Sequence, residues 1–164
     1  MLQRVQSLYL LCSIVFLAIF AFTPYFNITT NVGTYELDCM GITLSMLPEI
    51  ATGTATITAS SNYIVAIITA LIAIMSAITI FLYKNRNKQI LICRVNILFY
   101  ITMFVVMGIL VYNNYTLLQG TALKPTSYLM FPICALITNC LAMGAINKDE
   151  QMVRDSERMW TRNR

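Results

Sequence analysis

Hydrophobic and polar residues fall into long alternating blocks. Apolar runs occupy about positions 7–23, 63–83, 93–112 and 128–147. A bilayer needs about 20 mostly apolar residues in a helix, so each run is read as a transmembrane span. Tyr83 to Arg94 forms a short basic hinge between the second and third runs, with Lys84, Arg86, Lys88 and Arg94 and no acid. The longest polar stretch, 24–62, follows the first run. Within it Phe26, Ile28 and Val32 share one parity, and Tyr35, Leu37 and Cys39 fall on one face of the next segment. Asn31-Val32-Gly33 supplies turn residues between the two, which predicts a small β-hairpin. Ile42, Leu44 and Met46 continue the alternation up to Pro48, while 51–62 is small and polar and reads as a flexible approach to the second span.

Charge gives the spans a direction. Arg4, the hinge cations, Lys148, Arg154, Arg158, Arg162 and Arg164 lie on one side of this arrangement, and Lys124 alone on the other. Loops rich in Lys and Arg resist translocation, so both termini are expected in the cytoplasm. Glu36, Asp38 and Glu49 fall in the outer loop, and Tyr25, Tyr63, Tyr83, Tyr112 and Tyr128 stand at span ends as an interfacial belt requires. Ile19-Phe20-Ala21 puts a bulky residue where a signal-peptide cleavage site needs a small one, so the first span is read as an uncleaved anchor. The expected fold is an all-α membrane protein: four transmembrane helices over 1–147, a small extracytoplasmic β-hairpin, and a C-terminal cytoplasmic helical extension over 148–164.

Composition agrees and removes several function classes. Of 164 residues 58% are hydrophobic and 11% charged. A soluble domain carries about 25% charged residues, so the partner of most of this surface is a lipid bilayer. The net charge of +4 sits at helix ends with no aromatic-interleaved basic stripe, so nucleic acid is not an expected partner. There is no His, and the five cysteines form no CxxC pair. Cys12, Cys134 and Cys140 fall within spans, Cys93 at a helix end, and Cys39 alone toward the oxidising side. No acid lies inside a span, and no Ser–Lys or metal-ligand grouping occurs. The chain is therefore read as not an enzyme, with no catalytic residue, no cofactor and no metal site.

Three features remain as candidate contact sites. Ala66, Ala70, Ala73 and Ala77 recur at helical spacing, and small residues let a neighbouring helix approach closely; Ile72 falls off that face. Asn139 is the one strongly polar residue near a span centre, and an interhelical hydrogen bond is expected of it, whereas Asn96 is placed close enough to the membrane edge to be hydrated. In the tail Met152, Val153, Met159 and Trp160 form an apolar stripe on a charged helix, with Arg154 paired to Glu150 at i,i+4. Its charges nearly balance, which favours a protein groove over an anionic lipid surface. Met152, Val153, Arg154, Met159 and Trp160 are accordingly the candidate partner-binding residues.

Three stretches resemble an uncharacterised family of four-span membrane proteins from Bacteroidetes, the domain of unknown function 4293 family. The start, Met1-Leu2-Gln3-Arg4-Val5-Gln6, is similar to the family's M-[IL]-Q-R-[IV]-Q opening. The hinge, Asn85 to Arg94, is similar to its basic inner loop, and Lys148-Asp149-Glu150-Gln151-Met152-Val153-Arg154 to its K-D-E-x-[LM]-V-R segment. The resemblance implies a multi-pass protein of a bacterial inner membrane and carries no reaction or substrate. The function expected from sequence is a non-catalytic accessory or scaffold subunit of a larger membrane complex, its partner on the cytoplasmic side. The alternative is a small homo-oligomeric transporter or channel.

Overall fold

The computed structural model describes residues 3–31, 33–46, 58–82 and 86–162. Four helices carry most of the chain: α1 (Gln3–Ala21), α2 (Ile64–Phe81), α3 (Arg86–Leu117) and α4 (Met130–Arg162). They run alternately up and down, each packed on its neighbours, and α1 meets α4 to close the ring. Both termini therefore lie at one end and the two long connections at the other.

Each helix turns one seam inward at spacings of three and four. On α1 the seam is Gln6, Leu10, Ser13, Leu17 and Phe20; on α2 it is Val65, Thr69, Ile72, Ser76 and Thr79. On α3 it includes Gln89, Cys93, Asn96, Tyr100, Met103 and Met107, and on α4 Ala135, Asn139, Ala142, Ile146 and Asp149. This period of 3.5 is that of left-handed supercoiled bundles. Every seam carries polar side chains, while Leu11, Val15, Ile67, Leu71, Leu98, Val105, Ile137 and Leu141 face outward. An apolar outer surface of this extent is what lipid solvates and water does not.

Among the described residues three helical stretches are long and apolar enough to cross a membrane: Ile64–Phe81, Lys88–Leu117 and Ser127–Ser156. The apolar part of α1, Gln6–Ala21, is shorter. At 1.5 Å per residue it spans about 24 Å against a hydrocarbon core of about 30 Å. Its apolar stretch stops short because Gln6 begins it and Thr23-Pro24 follows it. The third helix is also longer than the expected 93–112: it starts inside the basic hinge and runs to Leu117.

The far end of the ring is capped by a five-stranded antiparallel sheet in the order β4-β3-β2-β1-β5. Its strands are β1 (Phe26–Thr29), β2 (Thr34–Asp38), β3 (Gly41–Met46), β4 (Thr58–Ser61) and β5 (Ala122–Pro125). The expected hairpin is present, with Phe26 opposite Leu37 and Ile28 opposite Tyr35; Val32 lies outside the described residues. The sheet is larger than that hairpin. The stretch read as a flexible approach contributes β4, which pairs with β3, and the α3–α4 connection contributes β5, which pairs with β1. Asp38 turns β2 into β3: its Oδ1 accepts from the backbone N–H of Met40 at 2.8 Å and of Gly41 at 2.7 Å. Gly41 there has φ 151°, a conformation costly for any residue with a Cβ. Gly120, after α3, lets the connection close in: a Cβ there would stand 2.6 Å from the Tyr115 ring and 2.9 Å from Ile28.

Ile28, Leu37, Cys39, Ile42 and Leu44 form the inner face of the sheet, and the first four join one core with Phe20, Val65, Met107 and Val111 at the helix ends. Cys39 is thus not presented to solvent. It is fully buried, with its thiol 3.7 Å from the Phe20 carbonyl. Burial first, then the nearby Asp38 carboxylate, pushes this thiol up to about 12. The folded state favours the neutral thiol, so the associated stability is present below the unfolded value of 9.0 and is lost as pH rises toward 12. Met40, the next residue, is 53% exposed. A Met40→Cys variant should therefore react rapidly with a polar maleimide at about pH 8, while native Cys39 stays unreacted until the protein unfolds. Rapid labelling of Cys39 in the folded protein would contradict this arrangement of the sheet.

Candidate functional site

The polar seam residues gather at two levels of the ring. At the terminal end Gln6 donates from Nε2 to Asp149 Oδ2 at 2.6 Å and to the Ala145 carbonyl at 3.4 Å. Gln89 donates to the Thr79 carbonyl at 3.2 Å. All three side chains, Gln6, Gln89 and Asp149, are buried. Above them lies a small apolar cluster of Leu10, Ile90, Cys93, Ala142 and Ile146. The three stretches singled out in the sequence as family-like thus converge: the first supplies Gln6, the hinge Gln89, Ile90 and Cys93, and the tail segment Asp149.

The second level lies beyond that cluster, towards the centre of the ring. Asn96 Nδ2 donates to Ser76 Oγ at 2.8 Å. Ser13 Oγ donates to the Ala135 carbonyl at 3.2 Å and lies 2.8 Å from the Tyr100 hydroxyl. With its own proton on Ala135, Ser13 accepts from Tyr100. Ser13, Tyr100 and Ala135 come from three helices, so this network crosses the ring rather than following one interface, while the Asn96–Ser76 bond joins α3 to α2. Next comes the larger core shared with the sheet, where Thr69 donates to the Val65 carbonyl at 2.8 Å and lies 3.6 Å from Met103 Sδ.

Asn139 departs from expectation. It is fully buried on the α4 seam, but neither its Nδ2 nor its Oδ1 has a hydrogen-bond partner. Asn96, placed by sequence near a hydrated edge, is fully buried as well, with Oδ1 unpartnered. The interhelical amide bond expected of Asn139 is made instead by Asn96, to Ser76.

The alanine face is displaced from the interior. Ala70 is exposed, and Ala66, Ala73 and Ala77 are half-buried on the flank of the α2 seam. Ile72, expected off the contact face, lies at its centre. The residues that α2 turns inward are apolar or hydroxyl-bearing at a 3.5-residue period, and the alanine row follows a neighbouring line. Spacing between small residues alone could not separate the two lines; the run of Thr69, Ser76 and Thr79 was the available signal.

The tail continues α4 without a break to Arg162. Met152, Val153 and Met159 are exposed, the Arg154 side chain is 65% exposed, and its guanidinium meets Glu150 at 2.9 Å. The side chain of Trp160 lies outside the described residues. The expected stripe is therefore on the surface for its three described apolar members.

At the sheet end a shallow crevice is lined by Tyr25, Leu37, Asp38, Gly41, Ile42, Asn62, Leu110 and Asn114. Burial holds the Tyr25 hydroxyl well above the usual phenol range, so it is a neutral hydrogen-bonding group there.

The model of a family described as Domain of unknown function (DUF4293) matches residues 2–159. No curated protein matches the chain.

Proposed function

The chain belongs to that family, DUF4293, and from this premise we propose that it is a non-catalytic accessory or scaffold subunit of a complex in the bacterial inner membrane. The supporting observation is the tail. Its helix runs on past the ring to Arg162 with Met152, Val153 and Met159 exposed. Apolar side chains at helical spacing on a charge-balanced helix suit a protein groove. All four helices cross the membrane in this reading, α1 by tilting little and letting the bilayer thin around its short apolar stretch. The termini and the hinge face the cytoplasm because their cations resist transfer, and the sheet stands on the opposite side. The four-helix ring, 1–147, is then the anchor and 148–164 the contact segment.

The test is purification of the full-length chain from native membranes in mild detergent, beside a Met152→Ser, Met159→Ser double variant. Both positions are exposed, so the ring should unfold at an unchanged temperature. Loss of a stable heteromeric partner from the variant alone is the expected result. A homo-oligomer that passes solute in liposomes, with no heteromeric partner, would replace this reading with the transporter alternative. Sidedness is read separately. The introduced thiol of Met40→Cys should react with an impermeant reagent on intact spheroplasts.

A further inference from the structure

Three buried polar atoms without partners stand at one level of the helix ring: Asn96 Oδ1, Asn139 Oδ1 and Asn139 Nδ2. The register of α3 against α4 sets these two residues at the same height. Tyr100 and the Ala135 carbonyl meet at the same Ser13 hydroxyl. One turn along each helix towards the termini lie Asn96 and Asn139. A further turn along, Cys93 and Ala142 share one apolar cluster. Asn96 and Asn139 are thus level on adjacent helices, yet no hydrogen bond joins them.

We propose that Asn96 and Asn139 bind water inside the ring, one or two molecules bridging α3 and α4 between the two apolar clusters. An amide left unpaired in a hydrocarbon-surrounded interior is costly, whereas a bridging water satisfies donor and acceptor together. Ser13, Ser76 and Ala135, beside the two asparagines, are small. The unpaired set selects the ligand. Asn139 offers a donor NH2 and an acceptor oxygen whichever way its amide is turned, and Asn96 adds an acceptor. A metal cation would take the two oxygens and leave the donor N–H facing it; an anion would take the donor and meet two oxygens. Water both accepts and donates. The site is closed from both ends, by Leu10, Ile90, Cys93, Ala142 and Ile146 on one side and by the larger core on the other. It holds its water rather than passing it.

The experiment uses the full chain, isotope-labelled in lipid bilayers, with transfer of magnetisation from water read by solid-state NMR. The side-chain amides of Asn96 and Asn139 should receive water polarisation severalfold faster than the backbone at Cys93, Ala142 and Ile146. Equal slow transfer at all five, or a direct amide–amide contact between the two asparagines, would overturn the proposal. So would a shift of the two side-chain carbonyl resonances when sodium or potassium chloride replaces choline chloride, since that marks a cation. In Asn139→Leu, transfer to Asn96 should fall to the level of its neighbours; unchanged transfer would show that the two do not share the water. The wild-type measurement stands even where this variant does not fold.

Discussion

Ile72→Ala is expected to destabilise the helix ring by about 2–3 kcal/mol, while Ala70→Leu on the same helix changes stability by less than about 0.5 kcal/mol. Ile72 is fully buried on the α2 seam and joins the core shared with the sheet. Truncation removes side-chain contacts that the surrounding helices cannot fully close. In soluble cores such truncations cost about 2–5 kcal/mol, part of it lost transfer from water. Between membrane helices that part shrinks, since lipid is as apolar as the core, and the lost packing remains. Ala70 is exposed, so a leucine there meets lipid. Thermal unfolding in one lipid or detergent system, monitored by helical circular dichroism, measures both. The reverse order, a tolerant Ile72 and a sensitive Ala70, would mean that the alanine row is the true contact face.

Gln6→Leu is expected to cost about 1–3 kcal/mol, because it removes a close donor from the Asp149 carboxylate at a site that is 7% exposed. Gln6 Nε2 is the donor to Asp149 Oδ2 at 2.6 Å, and the contact joins the first helix to the last. Asp149→Leu alone should also destabilise, leaving Gln6 only its longer bond to the Ala145 carbonyl. The double substitution should cost less than the sum of the two, with a coupling of about 0.5–3 kcal/mol. Simple additivity would show that the two side chains act independently.

How far the sequence could be read depended on what surrounds each element. The helices were legible because hydrocarbon demands long uninterrupted apolar runs, and α2 at Ile64–Phe81 falls within its expected range. The β1–β2 hairpin was legible because one side of it is buried, so Phe26, Ile28, Tyr35 and Leu37 alternate. Strand β5, Ala-Leu-Lys-Pro, shows no such alternation. It is an edge strand, where proline is tolerated, and its place is set by β1 rather than by its own residues. The inner faces of the helices were hidden for a different reason. In water hydrophobicity marks the inside, but here Leu71 and Ile74 point outward as Ile72 points inward. The signal that remained was the recurrence of Gln6, Ser13, Ser76, Asn96 and Asn139 at seam spacing. Of these, Asn139 alone is read from sequence as an interhelical contact and Asn96 as an edge residue, because the partners of both depend on how α3 sits against its neighbours, which no local pattern records.

The pairing of β1 with β5 also constrains how the protein is made. Residues 26–29 leave the ribosome long before residues 122–125, and until the latter arrive β1 offers an open edge. The hairpin of α1 and α2 can pack before then, but its cap cannot be finished. The same holds at the opposite end, where Gln6 waits for Asp149. Both closures fall to the last third of the chain, so a nascent chain halted after α2 would display an unsatisfied strand on one side and a buried-type glutamine on the other.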